Sequence, residues 1–150
     1  MEEQTTIHAA RIWVVLAKSY KAMASFVEQQ VAGQGLGLSD FMVLEVLLHK
    51  GPSTISAIGE KVLLANASMT SAIDRLEKKG FVTRQASEQD RRIRRIELTA
   101  KGKIFITTIY EQHEAAIESL MSELTPAERI ALHSSLKKIG LAAAAANEHG

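Results

Sequence analysis

The chain has 150 residues, 46% of them apolar and 23% charged, which suits one hydrophobic core and predicts a single domain over 1–150. There is no cysteine, which excludes disulfides, thiolate zinc sites and thiol redox switches; no window approaches the roughly 20 apolar residues that span a bilayer, so a cytoplasmic protein with no membrane partner is expected. The net charge of +1 hides a segregation, because residues 51–103 hold 11 Lys or Arg against 6 Asp or Glu while the remainder holds 7 against 11.

In chain order, Ile12, Leu16, Tyr20, Met23 and Val27 recur at three- and four-residue steps, predicting an amphipathic helix over about 7–31. Gly33, Gly35 and Gly37 break it. Ser39 stands where an N-cap would start a second helix running from Phe41 to His49, and Gly51-Pro52 ends that one. A short helix from about Ile55 to Leu63 follows. Asn66 is an N-cap for a further helix from Ala67 to Lys79, stopped by Gly80.

Two stretches rich in β-branched residues come next, Phe81 to Gln85 and Ile93 to Leu98, with the charged run Ser87 to Arg92 as a hairpin tip between them. Thr99 then caps a long helix through Met121. Thr125-Pro126-Ala127-Glu128 is a capping box with proline at the first helical position, so a last helix runs from Pro126 into the alanines 142–146, a fraying end. The fold class expected is mainly α with a small β-hairpin wing.

Helix, short turn, helix and basic hairpin is the order of a winged helix-turn-helix. A helix fits the major groove with its first residues on base edges, and a charged hairpin reaches the minor groove or the backbone. The groove helix would present Ala67, Ser68, Thr70 and Ser71, small or hydroxyl-bearing, with Arg75 one turn on; Met69, Ile73 and Leu76 would face the core. Such a surface permits close approach, with phosphates supplying much of the affinity. Arg91, Arg92, Arg94 and Arg95 would be the cationic wing.

Leu38 to Gly102 resembles the DNA-binding region of the MarR (multiple antibiotic resistance regulator) family, on three stretches in register: DRLEKKGFV at Asp74 to Val82, DRR at Asp90 to Arg92, and LTAKG at Leu98 to Gly102. The resemblance implies a winged helix-turn-helix over about 38–102, flanked by dimerisation helices over about 7–31 and 100–146. It implies that Asp90 braces the wing arginines while Arg92 enters the minor groove, where narrow width deepens the negative potential. Members frequently carry an arginine near Ser71, which this chain lacks.

A homodimer on a palindromic operator, with groove helices roughly 34–36 Å apart, is the assembly implied. Ile12, Trp13, Ile106, Leu120, Leu132 and Leu136 support it independently, as more apolar surface than a small winged domain covers alone. Members often bind small aromatic acids or phenols, for which Trp13, Tyr20 and Phe41 are the pocket residues to expect; aromatics at helical spacing also build cores.

No cofactor is expected. The five histidines, His8, His49, His113, His133 and His149, form no ligand pair four apart, which leaves a metal-responsive regulator as a minor alternative. Glycine-rich phosphate loops, nucleophile motifs and zinc-binding helices are absent, so no enzyme is expected. The expectation is a ligand-responsive repressor. A winged-helix protein-interaction module without DNA binding is the alternative from another class.

Overall fold

Apolar side chains between Val27 and Ile109 close over one another to form the hydrophobic core. A computed structural model describes residues 6–62 and 69–150. Its elements in order are α1 (Ala9–Ala32), α2 (Leu38–Lys50), β1 (Ser53–Thr54), α3 (Ile55–Lys61), α4 (Met69–Lys78), β2 (Val82–Ala86), β3 (Arg94–Leu98), α5 (Ala100–Met121) and α6 (Pro126–Glu148). Two compact units divide the chain, Met1–Glu111 and Gln112–Gly150. Among the described residues no helix is long and apolar enough to cross a membrane.

In the first unit, α2 packs on α1, α3 and α4, and α3 packs on α4. Phe41, Leu44, Ile58, Ile73, Leu76 and Ile96 are fully buried where these elements meet. Each comes from an apolar face set by helix or strand period, so burial follows from the patterning. The sheet has order β1-β3-β2 and is antiparallel throughout. Arg84 pairs with Ile96 and Ala86 with Arg94, so by two-residue alternation Arg84, Ile96 and Arg94 share one sheet face while Gln85 and Arg95 share the other.

Three local expectations need correction. Ser39 is not the cap of α2, since the helix already includes Leu38 and Gly37 holds the cap position in extended backbone, its carbonyl accepting the Phe41 N–H at 3.0 Å. The wing has a third strand, because Ser53 and Thr54 pair with Ile96 and Arg95. The alanines 142–146 lie within a helix that continues to Glu148. The proposed Asn66 cap lies outside the described residues.

Turn chemistry at two glycines fixes the frame around α4. Gly80 has φ +79, the left-handed geometry that ends a helix without Cβ strain. Gly102 in α5 sits directly against the Phe81 backbone, and a Cβ there would lie 2.0 Å from the Phe81 carbonyl oxygen. Thr99 caps α5 as expected, its Oγ1 accepting the Gly102 N–H at 3.0 Å.

In the second unit, the Thr125 hydroxyl accepts the Glu128 N–H at 3.2 Å, and the Glu128 carboxylate accepts the Thr125 N–H at 3.1 Å. These bonds hold the Glu128 carboxyl below its ordinary pKa, the backbone donor contributing most. Arg129 joins Glu118 at 2.7 Å and donates from Nε to the Met121 carbonyl. No residue of α6 is buried, and Ile130, Leu132, Leu136, Ile139 and Leu141 stand exposed along it.

Candidate nucleic-acid interface

The helix expected to enter the groove is α4, whose Ala72, Ile73 and Leu76 are buried, leaving Thr70, Ser71, Asp74, Arg75 and Lys78 on the outer face. Thr70 and Ser71 occupy its first turn and are exposed, where a groove helix offers hydroxyls to base edges. Ala67 and Ser68 lie outside the described residues.

Two arginine forks set the orientation of α4. Arg75 reaches back to α2, donating from Nη2 to Asp40 Oδ1 at 2.7 Å and from Nε to Asp40 Oδ2 at 3.2 Å. Asp40 is a buried acid held by this bidentate partner; its hydrogen bonds raise the Arg75 pKa further, against a smaller effect of desolvation. On the other side, Arg84 of β2 donates to Asp74 at 2.6 Å and to Glu77 at 2.8 Å, and its pKa is likewise raised, chiefly by the bond to Asp74. One fork ties α4 to the core and the other ties it to the wing.

Arg75, expected among the DNA contacts, is half-exposed and also braces α4 against α2. Two of its donors are taken by Asp40, because α2 and α4 pack together and, among the described residues, no other cation meets that buried carboxylate. Arg84, a brace for the wing, was not singled out from sequence; Asp74 and Glu77, three apart on one helix face and followed by an arginine on the next strand, were the signal available.

The wing tip runs from Ser87 to Ile93 and is built by its own backbone and short side chains. Ser87 N–H donates to the Ile93 carbonyl at 2.8 Å, Ser87 Oγ accepts the Gln89 N–H at 3.3 Å, and Ile93 N–H donates to the Asp90 carbonyl at 3.0 Å. Asp90 Oδ1 accepts the Arg92 N–H at 2.9 Å. Asp90 thus braces the wing through the main chain and not, as expected, through arginine side chains. Among the described residues Arg91 and Arg92 of the tip and Arg94 and Arg95 at the start of β3 are exposed and make no ion pair, so the wing carries four arginines without an acidic partner.

Lys78 is also exposed, whereas Lys79 donates to the Gly35 carbonyl at 3.2 Å. The aromatics expected around an effector have unlike surroundings. Phe41 is 1% exposed and belongs to the core, while Trp13 and Tyr20 are 68% and 53% exposed on α1. Among the described residues no three His, Cys, Asp or Glu side chains cluster as metal ligands.

Residues 36–93 match the sequence model of the MarR family. The HTH-type transcriptional regulator MhqR of Bacillus subtilis is 34% identical over 136 residues, 91% of this chain and 94% of that protein. Among solved structures, the Bordetella bronchiseptica protein BpsR, whose DNA binding is regulated by 6-hydroxynicotinic acid, superposes with a TM-score of 0.76 at 22% identity, over 90% of this chain and 97% of that one. The organohalide-sensing regulator RdhR in its 2,4-dichlorophenol-bound form gives 0.74 at 19%, over 93% and 83%.

Proposed function

Because the chain belongs to the MarR family of HTH-type transcriptional regulators, we propose that it is a homodimeric repressor of a palindromic operator in double-stranded DNA. The observation that carries this reading is a contrast among arginines. Arg75 and Arg84 are consumed by ion pairs that orient α4, while the wing arginines have no acidic partner among the described residues.

Arg92, at the turn held by Asp90, is the minor-groove residue of this reading, with Arg91 and Arg94 on adjacent phosphates. Thr70 and Ser71, with Ala67 and Ser68 before them, take the major groove. Residues 38–102 work as the winged element within a single functional chain of 150 residues. A second copy covers the exposed Ile12, Trp13, Val15 and Tyr20 of α1 and the apolar face of α6, since apolar patches of that extent mark interfaces. The protein acts in the cytoplasm, catalyses nothing, and answers to a small ionisable aromatic effector, a reading supported by the ligands of BpsR and RdhR.

Equilibrium binding to duplex DNA across a salt series tests the DNA reading. A steep fall of affinity with salt is expected from counterion release. A flat response would instead make the fold a protein-interaction module. Sedimentation equilibrium at micromolar concentration is expected to give twice the 16.4 kDa chain mass, and the single-chain mass would remove the dimer.

A further inference from the structure

The pleat of β3 divides the wing arginines between two faces. Arg94 lies on the face of Arg84 and Ile96, which turns toward α4, since Arg84 is bonded there to Asp74 and Glu77 and Ile96 is buried. Arg95 lies on the opposite face with Thr83, Gln85 and Glu97, where the Gln85 amide donates to Thr83 Oγ1 at 3.4 Å. Strand β1 adds Thr54 to this outer face, opposite Arg95 in register. Gln85, Arg95 and Glu97 are exposed. Arg95 is thus turned away from the helix that meets the groove.

The outer face carries both signs of charge. A cavity of about 360 Å³ opens on it, bounded by Pro52, Gln85, Ser87, Glu88, Arg95 and Glu97. Among the described residues Glu88, Arg95 and Glu97 make no ion pair, although Arg95 and Glu97 are successive residues of one strand face. Such an arginine and glutamate are complementary to their own copy. A two-fold axis lying between two of these faces and crossing β3 at Ile96 runs the strands antiparallel, and sets Arg95 of each copy on Glu97 of the other. Thr83 and Gln85 flank the contact with hydroxyl and amide groups that both donate and accept.

We propose that the outer face of the wing is a docking surface for a second copy of this chain, and that it joins neighbouring dimers along DNA through reciprocal Arg95–Glu97 pairs. The inference rests on the reading of the chain as a dimer that lays its wings on DNA. Exposed ion pairs are individually weak, so two of them do not hold dimers together at micromolar concentration in free solution. On a duplex the neighbouring dimer is presented at an effective concentration in the millimolar range, where the same contact becomes a preference for adjacent sites. The two faces of β3 then divide the work, Arg94 serving the DNA and Arg95 the neighbour.

A dilution series of the full-length ¹⁵N-labelled chain, from millimolar to micromolar and without DNA, reads the contact directly. The amides of Thr83, Gln85, Arg95 and Glu97 are expected to shift with concentration at low salt and to hold still at high salt. Arg95→Glu and Glu97→Arg are each expected to abolish the shifts by setting like charges opposite one another. The double variant Arg95→Glu/Glu97→Arg reverses both pairs and is expected to restore them. On DNA the probes are random-sequence duplexes long enough for one dimer and for three. Wild type and double variant are expected to bind the longer duplex about tenfold more tightly per dimer, after allowance for overlapping sites, and the single variants equally on both. The ratio between duplexes cancels the direct effect of a changed charge on phosphate attraction.

Wing amides that do not move on dilution, shifts confined to α1 or α6, or shifts that persist in the single variants would each overturn the proposal. So would a double variant that behaves like the single ones, since the face would then meet a partner other than a second copy. Equal affinity of the wild type for both duplexes would overturn the joining of dimers on DNA. Failure to bind the shorter duplex removes the DNA reading, whereas the dilution series contains no DNA and decides the wing contact by itself.

Discussion

Asp40 and Arg75, 35 residues apart in sequence, meet in a two-pronged ion pair in which the acid is 5% exposed and the guanidinium 48%. The two partners are therefore unequal. Arg75→Ala leaves a buried carboxylate without its donors, at a cost of about 1–3 kcal/mol or more for a charged group. Asp40→Ala leaves an arginine that turns into water. Urea unfolding is expected to rank Arg75→Ala as the more destabilised, and Asp40→Asn between Asp40→Ala and wild type; equal losses would show that the pair contributes nothing beyond packing.

This asymmetry marks where sequence reading ends. The order of helices, the hairpin and the cap at Thr125 were legible because each depends on period or on neighbours a few residues away. The Asp40–Arg75 fork was not, since nothing local to Arg75 distinguishes a brace from a DNA contact. Strand β1 has two residues and so no period to detect. Ser39 carries a favourable capping side chain, yet the extended backbone at Gly37 starts the helix earlier. Phe41 has the spacing of a pocket aromatic and of a core one alike, and only burial separates them. Asp90 stood in a motif that named its importance without naming its partner, which is the Arg92 main chain.

Gly102 is expected to be the least replaceable glycine in the winged element. A methyl group there would meet the Phe81 carbonyl oxygen at 2.0 Å, and that oxygen also accepts the Thr99 N–H at 3.0 Å. Neither backbone can retreat without breaking the junction of β2 and α5. Gly102→Ala should cost about 1–3 kcal/mol by overpacking, more than Gly140→Ala, where the added carbon meets nothing within 4 Å. Thermal unfolding of the two variants side by side decides it, and a Gly102→Ala chain as stable as wild type would contradict this packing.

The start of α6 should be sensitive to acid. A carboxyl whose pKa is lowered on folding adds stability above its unfolded pKa and loses it as the pH falls through the folded value. Glu128 is such a group, held down by the Thr125 N–H and hydroxyl. The first turn of α6 is expected to exchange its amides faster, relative to intrinsic rates, as the pH drops below the ordinary glutamate range, and Glu128→Gln should remove that pH dependence. Exchange that stays flat through this range in wild type would rule out the box as a pH-linked cap.

Wing and groove helix should fail in different ways, because they contribute different kinds of energy to the same complex. Arg92 is exposed and unpaired among the described residues, so Arg92→Ala breaks nothing in the free protein and removes one cationic group per subunit from the DNA. Affinity should fall for most duplexes, and the salt slope should drop by about one for each phosphate left unneutralised. Asp90→Ala should give a milder form of this defect, since it frees the Arg92 backbone without deleting the guanidinium. Thr70→Ala, in the first turn of α4, should instead act unevenly across operator variants, weakening binding by about 1–3 kcal/mol wherever its hydroxyl met a base edge and little elsewhere. A panel of single-base operator variants at two salt concentrations separates the two patterns. Should Arg92→Ala bind every duplex with unchanged affinity and slope, the wing does not enter the minor groove, and the unpaired arginines of the tip need another partner.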